Sequence, residues 1–111
     1  MSFSIKTNGN KEVALLELQG EINLYASPDF RDKLLLVCNK EVKEVIVDLS
    51  RVTFMDSSGV ATLIEGLKWS RKEGKSFVLM NVSTNVKNSL SLTKLETVFK
   101  IIPNAHSVYF N

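Results

Sequence analysis

The chain predicts an α/β fold, a mixed and mostly parallel β-sheet of about five strands flanked by helices. Two observations carry this expectation. After an opening hairpin, segments of helical periodicity alternate with short Val-, Ile- and Leu-rich runs, so successive strands must be joined by helical crossovers and lie parallel. Those runs hold consecutive apolar residues rather than alternating ones, the pattern of strands buried on both faces. With 111 residues, 44% hydrophobic and 23% charged, the chain is expected to form one domain over residues 1–111, with a core that needs no disulfide or metal.

Each element has its own signal. Phe3 and Ile5 alternate with polar neighbours, the period of a first strand, and a turn at Asn8, Gly9 and Asn10 leads into a second over Val13–Leu18. Ser27, Pro28 and Asp29 read as an N-cap, a proline at the first helical position and an acid in the first turn. Phe30, Leu34, Val37 and Cys38 then fall on one helical face, where Cys38 reads as core packing. Glu44–Leu49 is a buried third strand. Val60, Leu63, Ile64 and Leu67 recur at helical spacing from a start near Ser57 until Gly74 stops the second helix. Lys68, Arg71, Lys72 and Lys75 near its end suit the negative pole of the helix. Phe77–Met80 is a fourth strand, and Ser83 or Thr84 caps a short helix carrying Val86 and Leu90. Val98–Ile102 is the fifth strand, Pro103 ends it, and Asn104–Asn111 reads as a helical turn or frayed tail.

Composition narrows the function classes. Fourteen basic residues against twelve acidic ones leave a net charge of +2, dispersed enough to disfavour nucleic-acid binding. The lone Cys38 has no disulfide partner, and with His106 as the single histidine neither a metal-ligand spacing nor a Ser-His-acid triad can be assembled. Gly59, Gly66 and Gly74 are too widely spaced for a nucleotide-binding loop. No cofactor, metal or enzyme activity is therefore expected. No apolar run approaches the ~20 residues that span a bilayer, and Met1–Lys6 does not begin a secretory signal. The expected compartment is the cytoplasm.

One stretch stands out. Val45–Leu49 runs through Val52 and Met55 into Asp56, Ser57, Ser58 and Gly59, a loop that leaves the carboxyl end of a strand and enters a helix, where α/β folds meet their ligands. Two hydroxyls there face a helix N-terminus whose N–H groups and positive pole favour an anion. The same residues also read as an ordinary N-cap. For Gly59, close approach of another backbone and local turn geometry fit equally well.

The order Val47-Asp48-Leu49, Val52, Met55, Asp56-Ser57-Ser58-Gly59, Val60 and Leu63 resembles the signature of STAS-domain anti-sigma-factor antagonists. The likeness covers nearly the whole chain, with Gly20-Glu21-Ile22, Gly74 and Val98-Phe99-Lys100-Ile101 at comparable places. It implies a bacterial partner-switching regulator. The second serine of the motif, Ser58, would be phosphorylated by an anti-sigma factor that is a GHKL-type serine kinase. The unphosphorylated form would bind that kinase and release the sigma factor, and a PPM-type phosphatase would reset the switch. Phosphate would add about −1.5 to −2 charge at the docking loop, which the helix end could tolerate while the interface could not. Asn23 stands where many antagonists carry aspartate, keeping a polar cap without the charge.

Asp56, Ser57, Ser58, Gly59, Asn23, Leu24, Tyr25 and Trp69 are the candidate partner contacts. Leu24 and Tyr25 read either as partner contacts or as a plug for the sheet edge. Trp69 lies about 180° from the apolar stripe of its helix and should be partly exposed, as a binding hot spot or as a ring draped over its neighbours. A monomer or weak dimer is expected. Competing roles are a STAS subunit of a membrane transporter or lipid-transport ATPase that is never phosphorylated, and a scaffold in a large stress complex.

Overall fold

The computed structural model describes residues 1–104. Strands β1 (Ser2–Thr7), β2 (Val13–Ile22), β3 (Glu44–Met55), β4 (Ser76–Met80) and β5 (Lys100–Ile102) alternate, after the first hairpin, with helices α1 (Ser27–Cys38), α2 (Ser57–Lys72) and α3 (Thr84–Leu92). The five strands form one sheet in the order β1-β2-β3-β4-β5. Only β1 and β2 pair antiparallel, and β2 through β5 are parallel. The mixed, mostly parallel sheet expected from the element order is therefore present.

Both faces of the central strands are buried. Ala14, Leu16 and Leu18 of β2 join Val45, Val47 and Leu49 of β3 in one cluster, which Phe30, Leu34, Leu63, Leu67, Val86 and Leu90 of the three helices complete. The alternate residues Val13, Leu15, Ile46, Val78 and Met80 form a second cluster on the other face. This explains why β2 to β4 carry consecutive rather than alternating apolar residues.

β2 and β3 run further than their apolar stretches. Glu44–Asp48 pairs with β4, whereas Arg51–Met55 pairs only with Gln19–Ile22 across two register shifts. Gly20 lies at the second shift with φ +104°, a conformation that favours glycine. Beyond β4, α3 covers the open edge of β3 with side chains. Ser83 Oγ donates to Val52 O at 2.8 Å, Asn85 Nδ2 to Thr53 O at 2.7 Å and Ser89 Oγ to Met55 O at 2.7 Å. The polar residues that hid the extension in the sequence are those of a ribbon whose edge is satisfied by side chains instead of a fourth strand.

Other boundaries shift as well. Ser83 stands at the N-cap of α3 but spends its hydroxyl on Val52, so no side chain caps that helix. β5 begins at Lys100, not Val98, because Val98 N–H closes a turn onto Leu95 O at 3.1 Å. Lys75 serves the end of α1 rather than its own helix, donating to Cys38 O and Lys40 O. Cys38 is buried, with Sγ 3.5 Å from Ser70 Oγ, and burial pushes its thiol pKa up. That is the core role expected of it. Among the described residues no helix is long and apolar enough to cross a membrane, and no cluster of potential metal ligands occurs. His106 and the tail from residue 105 onward lie outside the described residues.

Candidate functional site

The extended β2–β3 ribbon carries two loops to one end of the molecule: Asn23–Ala26, entering α1, and Asp56, entering α2. Asp56 N–H donates to Ile22 O at 3.1 Å, so the two chain turns leave the ribbon side by side.

Asp56 is the N-cap of α2, extended at φ −91° and ψ −174°. Its Oδ1 accepts from Ser58 N–H at 3.0 Å, from Gly59 N–H at 3.3 Å and from the Ser58 hydroxyl at 2.5 Å. The Ser58 hydroxyl bond holds the Asp56 carboxyl below the usual carboxylate range; partial burial works against it, and the Gly59 and Ser58 N–H groups reinforce it. The Ser58 and Gly59 N–H groups at this helix start are thus already bonded to the Asp56 carboxylate.

The backbone of Ser58 is fixed from below. Its carbonyl accepts from Thr62 Oγ1 at 3.0 Å and from Ser27 Oγ at 3.3 Å, and those two hydroxyls are 3.1 Å apart. Ser27 is therefore no N-cap. It is the buried first residue of α1, and Ala26 occupies the cap position without a side-chain bond. The capping role moves to Asn23, whose Oδ1 accepts from Tyr25 N–H and Ala26 N–H, both at 3.0 Å. The polar cap expected of Asn23 is present. Ser27 and Thr62 were missed as site residues; the spacing of Thr62 four residues after Ser58, within reach of its carbonyl, is the signal that could have found one of them.

Gly59 does permit a close approach, but of the chain's own β2 and β3 ends rather than of a partner. It is buried, and a Cβ there would lie 2.6 Å from Met55 Cγ and 2.9 Å from Ile22 Cγ2. It lets α2 start against the ends of β2 and β3, and it presents nothing outward.

Around the serines the surface is apolar. Leu24 is 68% and Tyr25 91% exposed, which rules out the sheet-edge plug. On the other side Phe54 and Leu92, also exposed, line a shallow groove with Ser57, Val60 and Thr93. Phe54 and Leu92 were not read as site residues. Leu92 lies off the Val86–Leu90 stripe of α3, and such an off-stripe leucine was the available clue. Asp56, Ser57, Ser58, Asn23, Leu24 and Tyr25 thus share one end of the molecule. Trp69 does not: it lies eleven residues after Ser58, about 16 Å along α2 at ~1.5 Å per residue. Its ring is half-buried against the core with the Arg31 guanidinium 5.3 Å from its centre.

Comparison with known proteins agrees with this architecture. A family model described as the STAS domain matches residues 4–108. The anti-sigma-B factor antagonist of Bacillus subtilis is 26% identical over 101 residues, covering 91% of this chain and 92% of the relative. A putative anti-sigma factor antagonist from Thermotoga maritima superposes with a TM-score of 0.82 at 25% identity, over 96% of this chain and 90% of that one. The Bacillus cell fate determinant SpoIIAA, solved in its phosphorylated form, gives a TM-score of 0.74 at 20% identity over 96% and 95% of the two chains.

Proposed function

The chain belongs to the STAS-domain family, and we propose that it is an anti-sigma factor antagonist controlled by phosphorylation of Ser58. The unphosphorylated protein, a monomer or weak dimer in the cytoplasm, binds an anti-sigma factor that is also a GHKL-type serine kinase, and so frees the sigma factor. The kinase moves the γ-phosphoryl group of a nucleoside triphosphate onto Ser58 Oγ; the hydroxyl proton is released and the nucleoside diphosphate leaves. A PPM-type phosphatase hydrolyses the ester, consuming water and returning the hydroxyl and inorganic phosphate. The protein itself is a regulator, not a catalyst.

The observation that carries this reading is the position of the Ser58 hydroxyl. It is half-buried at the start of α2 and oriented by Asp56, next to Ser57, which lines a groove with the exposed Phe54 and Leu92, and at the same end of the molecule as the exposed Leu24 and Tyr25. Exposed apolar residues grouped around a polar centre are the composition of a protein-docking surface. The B. subtilis relative bears the name of an anti-sigma factor antagonist, and a protein of the same fold has been solved phosphorylated.

The energetics favour a switch without refolding. A phosphoserine dianion beside the Asp56 carboxylate would have to be desolvated between apolar contacts when a partner docks. Burying an uncompensated charge costs several kcal/mol, and each ~1.4 kcal/mol is tenfold in affinity. Affinity capture from the native host tests this with Ser58→Ala and Ser58→Asp baits. The expected result is a GHKL-type kinase retained by Ser58→Ala and lost by Ser58→Asp. Equal retention by both baits contradicts the switch.

A further inference from the structure

We propose that the free edge of β1 is a self-association surface, on which a second copy of this chain adds its own β1 antiparallel, so that one continuous sheet runs through a weak two-fold dimer. The inference goes beyond the partner switch and does not depend on it.

β1 is an edge left open to pairing. It bonds to β2 along one side, and among the described residues no strand lies on the other. Its residues are exposed except for the half-buried Ile5. Edge strands are commonly kept apart by proline, by a bulge or by a lysine held at the edge. Ser2–Thr7 contains no proline, and its register with β2 is unbroken. Its one lysine is drawn back over its own sheet, with Lys6 Nζ 3.0 Å from Glu17 Oε1.

Apolar surface lies along this edge. Phe3 is 41% exposed, and Lys33 Nζ of α1 lies 4.4 Å from its ring centre. Leu36, 54% exposed, follows one turn later on the same side of α1. Phe3 and Ile5 pair with Leu18 and Leu16, buried members of the helix-side cluster. They therefore stand on that face of the sheet, while Ser2, Ser4 and Lys6 stand on the other.

The sequence of the strand selects the occupant. About a two-fold axis perpendicular to the sheet, residues opposite one another must share a face, so the axis passes through a residue and not between two. With the axis at Ser4, Phe3 meets Ile5 of the second copy, Ser4 meets Ser4, and Ser2 meets Lys6. Aromatic against β-branched is a favourable cross-strand pair, and no like charges stand opposite in this ladder. An axis at Ile5 would set Phe3 against Thr7, and one at Phe3 would pair only Ser2–Ser4 within the strand. The contact is isologous and closes at two copies, since each β1 is then paired on both sides. β1 reaches Gln19 and stops short of Gly20–Ile22, the part of the ribbon that carries the two loops. The Ser58 ends of the dimer thus stay free and, the strands being antiparallel, point in opposite directions.

Cysteine crosslinking in the full chain reads this register directly. Opposed residues in an antiparallel ladder have Cα atoms about 4.5–5.5 Å apart, within the span of a disulfide. The native Cys38 is buried and stays in place. Under mild oxidation Ser4→Cys should link to itself as a covalent dimer, whereas Ser2→Cys and Lys6→Cys should each stay monomeric alone and link when mixed. Sedimentation equilibrium of the parent chain should show monomer and dimer in exchange with a Kd of about 10 µM or weaker, as suits a small interface. Phe3→Glu, which sets a carboxylate against Ile5 of the second copy, should abolish the dimer. A parent chain that is monomeric up to about 1 mM, the weakest association such a surface would need to show, overturns the proposal. So does a dimer that a folded Phe3→Glu protein retains, and so does Lys6→Cys alone crosslinking as readily as Ser4→Cys, the mark of random collision.

Discussion

The two ends of α2 are held in opposite ways. At its start, one carboxylate satisfies the first N–H groups and a hydroxyl, and the residues around it, Leu24, Tyr25, Phe54 and Leu92, are exposed. At its end, Leu67 and Ser70 are buried, Cys38 packs beneath them, Trp69 rests against Arg31, and Lys75 closes the carbonyls of α1. The first end is built from local polar bonds and the second from tertiary packing. A chemical change at the first end can therefore alter what the protein presents to a partner while the second keeps the fold intact.

That contrast can be broken by substitution, the largest effects first. Leu67→Ala, at the packed end, should cost about 3 kcal/mol of stability through lost burial and a cavity, measured by urea unfolding, with partner affinity unchanged in the folded fraction. Ser58→Asp should do the reverse, weakening the partner about 100-fold in a calorimetric titration while stability moves by no more than about 0.5 kcal/mol. Tyr25→Ala should weaken the partner about tenfold, as loss of an aromatic contact at a docking surface does, with unfolding unaltered. Trp69→Ala is the sharper control: a partner footprint confined to the serine end leaves affinity near its starting value.

The smallest effect is on pH dependence. The folded-state pKa of Asp56 is lowered, so its ionised form favours folding. That contribution is fully present above the unfolded value of about 3.9 and disappears as pH falls through the lower folded value. Asp56→Asn should accordingly show less loss of stability on acidification below about pH 4 than the parent chain, while its retained cap keeps neutral-pH stability within about 1 kcal/mol. Identical acid unfolding curves would remove the charge of Asp56 from the account.

The sheet and helix order were legible because apolar periodicity survives wherever both faces of an element are buried. Val45–Leu49 and Phe77–Met80 are such places. The ribbon was not legible, because Gln19, Glu21, Ser50, Arg51 and Thr53 interrupt the apolar pattern and no local pattern reveals that α3 will bond Val52, Thr53 and Met55 from the side. At the site, Asp56 as a cap and Asn23 as a polar cap could be read from residue type. The assignment of Ser27 failed since its hydroxyl is drawn to the Ser58 carbonyl, thirty-one residues away in sequence, and tertiary bonds of that range leave no periodic trace. For Gly59 the need for a close approach was legible, but not that Ile22 and Met55 beneath it are what approach.

The central claim is that Ser58 is the phosphoacceptor of a partner switch. Phosphosite mapping by mass spectrometry tests it most directly, on protein purified from its own host across growth and stress conditions, with a Ser58→Ala strain in parallel. The account predicts phosphate on Ser58, varying with condition and absent from the Ser58→Ala protein. Unmodified Ser58 under every condition, or phosphate confined to Ser57, would contradict it.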